Sequence, residues 1–121
     1  MKYILLLTVI ISFFGCSEKN EKDWTILIYM AADNSLYQAA IKEINEMETA
    51  DFSDNINVIV QIDNGEYGSF SDARRYKIRP EQTIDENNIT SPVIAALGEI
   101  DSGDYHSLTA FANWGFSHYP A

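Results

Sequence analysis

One cysteine in 121 residues leaves no partner for an internal disulfide, so a stapled framework is excluded. Positive charge is also scarce: 8 Lys and Arg stand against 18 Asp and Glu, a formal net charge of −10. Nucleic acid is densely negative and needs a basic face. The only basic cluster is Arg74, Arg75, Lys77 and Arg79, which excludes a nucleic-acid partner. That cluster reads instead as a solvated strand edge that discourages aggregation. There is no glycine-rich phosphate loop, no nucleophile motif, and no His and Cys at metal-ligand spacing. His106 and His118 lie more than three turns apart on one predicted helix, cannot share a metal, and read as surface residues. No internal repeat or low-complexity tract occurs. A domain usually takes about 100 to 200 residues, so a multidomain arrangement is excluded as well.

Apolar residues are concentrated at the front. Met1 and Lys2 give a short positive start, and Tyr3 to Phe14 is a nearly continuous apolar run ending at Gly15-Cys16. A helix spanning ~30 Å of hydrocarbon needs roughly 20 residues, and this run is shorter. It reads as an export signal over residues 1–15. The small residue before the only cysteine resembles the bacterial lipoprotein signal, with cleavage before Cys16 and acylation of its thiol; Phe14 is bulkier than is usual two places before the cysteine. Residues 16–23 would then be the lipidated Cys and a polar tether, and residues 24–121 the folded part. The expected location is the cell envelope, with the membrane as a partner through the anchor. Ser17 is compatible with outer-membrane sorting in a two-membrane bacterium. Acyl chains contribute about 0.8 kcal/mol per buried methylene, so the folded part needs no membrane-binding face.

The remainder alternates strand and helix signals. Trp24 to Ala31 is β-branched and aromatic without polar alternation, which predicts a central strand covered on both faces. Ser35 with Gln38 fits a capping box, so a helix is expected from about Leu36. Leu36, Tyr37, Ala40, Ile41, Ile44 and Met47 share its apolar face, with Gln38, Lys42, Asn45 and Glu46 opposite. Ile56 to Asp63 is a second strand, completing a right-handed βαβ unit with parallel strands. Arg74 to Ile78 alternates like a more exposed strand near an edge. Pro80 to Ser91 is a polar loop, and the state of Pro92 to Leu97 is left open by its sequence. Asp104 is placed to cap a last helix with Tyr105, Leu108, Phe111, Ala112, Gly115, Phe116 and Tyr119 on one face, ended by Tyr119-Pro120.

In open α/β sheets ligands bind beyond the carboxyl ends of the strands, where Asp33 and Asp63 follow adjacent predicted strands. Two carboxylates there could hold Mg²⁺ or Ca²⁺ or accept a cationic group. Equally, Asp33 could cap the helix and Asp63 begin the turn.

Several blocks in order carry a family resemblance: Trp24 to Asn34 with Leu36, then Ile44-Asn45-Glu46-Met47-Glu48, Val58 to Asp63, Arg74-Arg75-Tyr76, Leu97 to Asp101 with Gly103-Asp104, and Leu108, Phe111 and Tyr119-Pro120-Ala121. Together they resemble the opening of the clostripain-like cysteine peptidases. The resemblance implies a caspase-like α/β/α sandwich with a mostly parallel sheet, incomplete in this chain. It implies an endopeptidase acting on protein or peptide substrates after Arg or Lys, and it brings calcium into consideration as a cofactor. In that family the catalytic His and the nucleophilic Cys lie on strands beyond the Tyr-Pro-Ala helix, so no catalytic residue carries over and the chain is expected to be inactive alone. Ser102 stands where Met is commoner. Two other functions fit the residues: a short non-catalytic lipoprotein binding module using Asp33 and Asp63, and a small receiver-like domain holding Mg²⁺ with the same pair.

Overall fold

The computed structural model describes residues 21–65, 71–80 and 85–121. The export signal, Cys16 and most of the tether lie outside the described residues. Four strands and two helices follow in order: β1 (Trp24–Ala31), α1 (Tyr37–Thr49), β2 (Ile56–Asp63), β3 (Ala73–Lys77), β4 (Val93–Gly98) and α2 (Tyr105–His118). They form one sheet of order β1-β2-β3-β4.

The expected parallel pairing joins β1 to β2, with Trp24 opposite Ile56 and Ala31 opposite Asp63. β3 and β4 then pair antiparallel, giving a mixed sheet. The link from β2 to β3 is too short for the helical crossover that another parallel neighbour would need. The same link corrects two positional expectations. β3 is an interior strand, flanked by β2 and β4, and β1 is an edge strand with Trp24 68% and Ile26 46% exposed. The apolar character of β1 was read correctly; what covers its free edge is not among the described residues.

The helices lie on opposite faces, as a sandwich requires. Strand periodicity sends Val58, Val60 and Ile62 with Tyr76 and Ile78 towards α1, where they meet Ile41 and Ile44. Each fully buried Ile or Val in this layer contributes about 1.5–3 kcal/mol. The alternate positions meet α2. Tyr29 lies 6.0 Å from Phe111, centroid to centroid, and a Cβ at Gly115 would come within 2.6 Å of both methyls of Leu27. Glycine at that position lets α2 approach β1 closely.

Polar residues bind the layers together in ways that periodicity did not predict. Asn45, expected on the solvent side of α1, is buried and donates through Nδ2 to the Asp85 carbonyl at 3.1 Å. Glu48 is fully buried, and its carboxylate accepts from the backbone N–H groups of Ser91 (2.6 Å) and Thr90 (3.4 Å). Arg75, on β3, is buried, donates to Gln61 Oε1 at 2.8 Å and stacks 4.1 Å from the Trp114 ring of α2. The Ser35-Gln38 capping box does not form: α1 has no side-chain cap, and Asn34 Oδ1 instead accepts from the Leu36 N–H at 2.9 Å. Asn34 leads into the helix through this Asx turn, and its carbonyl accepts from the Tyr37 N–H at 3.2 Å. At α2 the expectation holds, with Asp104 accepting from His106 N–H. No described helix is long and apolar enough to cross a membrane.

Candidate functional site

β1, β2 and β4 end on the same side of the sheet, because β4 is antiparallel to β3 and β3 to β2. That side carries the loop after β1, the turn after β2, and Glu99 to Asp104 leading into α2. It is the edge at which open α/β sheets place ligands.

Asp33 and Asp63 both lie there, in different settings. Asp33 is exposed, and its carboxylate lies over Gly65, where a Cβ would overlap it. Gly65 has φ +53°, which independently favours glycine. Asp33 does not cap α1. Asp63 is 2% exposed, and among the described residues neither carboxylate oxygen has a hydrogen-bond partner. The next residue, Asn64, is fully buried with both amide atoms equally unpartnered. A buried group without a partner costs about 1–3 kcal/mol, more when charged, so a partner at these atoms would be stabilising.

Further acidic groups surround Tyr29 nearby. Burial pushes its hydroxyl pKa up, and the Asp63 carboxylate, then Asp101 and Asp104, push it the same way. The hydroxyl itself donates to the Ser102 carbonyl at 3.1 Å and so ties the loop before α2 to the sheet. Neither Tyr29 nor Asn64 stood out in the sequence. Tyr29 reads as strand core and Asn64 as turn, and only the closing of the loop over β1 and β2 gives them neighbours.

The described residues contain no group of three or more His, Cys, Asp or Glu able to hold a metal. Among the described residues, no third such donor joins Asp33 and Asp63. His106 and His118 are both exposed, His106 in the first turn of α2 at this edge and His118 at the opposite end of the helix. His106 bonds Asp104 Oδ1 at 2.8 Å, and His118 bonds the Trp114 carbonyl at 2.9 Å.

Helices on both faces of a sheet that begins with a parallel βαβ unit define an α/β sandwich of the caspase-like type, incomplete in this chain. Comparison with known proteins gives the family. The Clostripain family profile matches residues 28–121, and the chain belongs to that family, of which it represents an N-terminal region. Among solved structures it is similar to a secreted C11 cysteine protease from Bacteroides thetaiotaomicron in complex with an irreversible peptide inhibitor. The TM-score is 0.61 and the identity 29%, over 81% of this chain and 26% of that one. It is also similar to a B. fragilis cysteine protease, with TM-score 0.59 and 26% identity, over 81% of this chain and 79% of that one. The chain thus spans about a quarter of the B. thetaiotaomicron protein. No curated protein matches it.

Proposed function

We propose that this chain is the N-terminal part of a lipid-anchored, clostripain-like cysteine endopeptidase directed to Arg or Lys. Its His and Cys come from strands outside the chain, and alone it is inactive. The observation that carries this reading is the free edge of β1 together with the path of α2. α2 starts at the carboxyl side of the sheet and ends where Lys22, Asn57 and Lys77 lie, beside the starts of β1 and β2. A strand leaving Tyr119-Pro120 would begin next to Trp24 and run parallel to β1. Helices on opposite faces would then diverge at β1, which makes its carboxyl end a topological switch point and the natural place for a peptide crevice. Similarity to a secreted relative supports export, and the Gly15-Cys16 junction supports acylation at Cys16.

Fluorogenic peptides with Arg or Lys before the scissile bond test the first part. The chain alone gives no turnover; cleavage by the chain alone overturns the assignment. Reading the coding DNA past Ala121 for an apolar strand ending in His-Gly and a later Asp-x-Cys tests the same point. Mass spectrometry of the N-terminal peptide tests the anchor: an acyl mass on Cys16 is expected, and Cys16→Ser releases the protein from the membrane.

The unpartnered Asp63 favours a second role for the carboxyl edge, in which Asp33 and Asp63 accept a cationic side chain of a substrate or partner. Titrating Nα-acetyl-arginine amide checks this. Asp63→Asn should abolish saturable binding, and unchanged binding removes the role.

A further inference from the structure

The opposite end of the sheet, where β1 and β2 begin, gathers lysines that form no ion pair among the described residues. A cleft of about 340 Å³ opens there, and Lys22, Asn57, Lys77, Ser117, His118 and Tyr119 line it. Among the described residues, Lys42 pairs with Glu46 and Arg74 with Asp72, but Lys22, Lys77 and Arg79 form no ion pair. The Lys77 ammonium is held 5.2 Å from the Tyr119 ring centroid. It is partly desolvated, and both Lys22 and Arg79 act on it as like charges.

These lysines are not simply capping α2. The Trp114 carbonyl already accepts from Ser117 Oγ and lies 2.9 Å from the His118 ring, while the Gly115 carbonyl accepts from Tyr119 N–H. Glu21 adds one carboxylate to the lining, so the cleft is a local cationic pocket and not a uniformly basic face. Two ammonium groups, a hydroxyl and an imidazole around one opening suit a compact polyoxygen anion. Asp23 and Asp54 flank the starts of β1 and β2 outside the cleft lining, and Asp33 and Asp63 at the far end lie about 26 Å away along the eight residues of β1. That is roughly three Debye lengths at physiological salt, so the far pair is screened from the cleft.

We propose that this cleft binds a phosphate-class anion, and that its source is the headgroup layer of the membrane to which the chain is anchored. The headgroup part rests on the acylation of Cys16 proposed above. Lys22 lies six positions after Cys16, a reach of roughly 20 Å at full extension, so an anchored chain holds the cleft within range of headgroups. Trp24, 68% exposed at the same end, is a residue type that settles at membrane interfaces. Bound this way, the domain stands on its cleft end with the carboxyl-edge crevice facing away from the bilayer.

The test uses the full chain in dodecyl maltoside micelles, which carry no phosphate. Inorganic phosphate is titrated against chloride at equal ionic strength while NMR follows the Lys side chains and the His118 ring. Saturable shifts at Lys77 and His118 with phosphate alone are expected. Lys77→Gln should weaken binding at least tenfold, Lys77→Arg should retain it, and the remote Lys42→Gln should leave it unchanged. Circular dichroism confirms that each variant is folded. Equal shifts with chloride, or full binding by Lys77→Gln, overturn the site. In nanodiscs, phosphatidylglycerol should slow amine acetylation of Lys22 and Lys77 at least fivefold relative to phosphatidylcholine; equal rates overturn the headgroup as the source. The acyl mass on Cys16 is read on the same sample. Phosphate binding without that mass overturns the anchor and keeps the site, and the mass without phosphate binding does the reverse.

Discussion

Replacing Glu48 by Ala should be among the most damaging single changes in the described chain. Its carboxylate is fully buried and reaches 43 positions along the sequence to the Ser91 N–H at 2.6 Å, with Thr90 N–H at 3.4 Å. Ser91 is itself buried, and its hydroxyl accepts from Arg79 N–H at 3.1 Å, so one side chain holds together α1, the exit of β3 and the entry to β4. Removing it strands a buried N–H, at about 1–3 kcal/mol. It also deletes one packed methylene, at about 0.8 kcal/mol. Glu48→Ala should therefore cost about 2–4 kcal/mol, a large share of the 5–15 kcal/mol typical of a domain. Glu48→Gln keeps the shape and one acceptor oxygen, loses only the ionic part, and should cost about 1–1.5 kcal/mol. Urea unfolding of the full chain reads both. With a slope near 1–1.5 kcal/mol per molar, the Ala variant should move the midpoint by about 1.3 M or more with the slope unchanged. Hydrogen exchange adds a local readout, because the Ser91 amide should lose protection in the Ala variant before its neighbours on β2 do. An Ala variant within about 0.5 kcal/mol of the parent, or unaltered Ser91 protection, would refute the reasoning.

Residues 17–121 should aggregate on size exclusion, since the β1 edge is unpaired and Trp24, Ile26, Leu108 and Phe116 are exposed beside it or on α2; a sharp monomer peak with cooperative melting would contradict the incomplete-sheet reading. Arg75→Lys keeps the charge but gives up the planar stack on Trp114 and the Nε bond to Gln61, and should lose about 1–2 kcal/mol in thermal melts. No loss would mean that charge alone matters at that position. Asp104 is held below the usual carboxylate range, first by the His106 backbone N–H and then by the His106 side chain. A depressed folded-state pKa adds stability that is present above the unfolded value and disappears as pH falls through the folded one, so α2 should fray in acid. Circular dichroism should show that acid step in the parent and not in Asp104→Asn, which still accepts a bond; the same step in Asp104→Asn would assign it to another group.

Much of the fold was legible in particular residues. The aromatic and β-branched run from Trp24 announced a strand, the spacing of Ile41 and Ile44 announced the buried face of α1, and Asp104 announced the start of α2. The ordered blocks from Trp24 to Ala121 announced the family, which the profile match over residues 28–121 confirms. The rank of the strands was not legible. The alternating charges of Arg74 to Lys77 resemble an edge because periodicity records polarity and not neighbours; in the structure Arg75 is buried through an aromatic stack and a glutamine bond. The candidate site was half legible. Asp33 and Asp63 were placed at the correct edge by strand order alone, but whether each was free, capping or buried depended on Asn34 and Gly65.

The sequence by itself determined composition, element type and family, because these follow from local pattern: side-chain period, turn chemistry and the order of motifs. Tertiary structure alone decided that β1 is the edge, that Glu48 and Asn45 face inward, that Asp63 is buried without a partner, and that Lys22 and Lys77 meet His118 at one cleft. Those facts depend on which distant segments come together. A carboxylate, amide or ammonium has no fixed preference until its neighbours set its solvation and its hydrogen bonds.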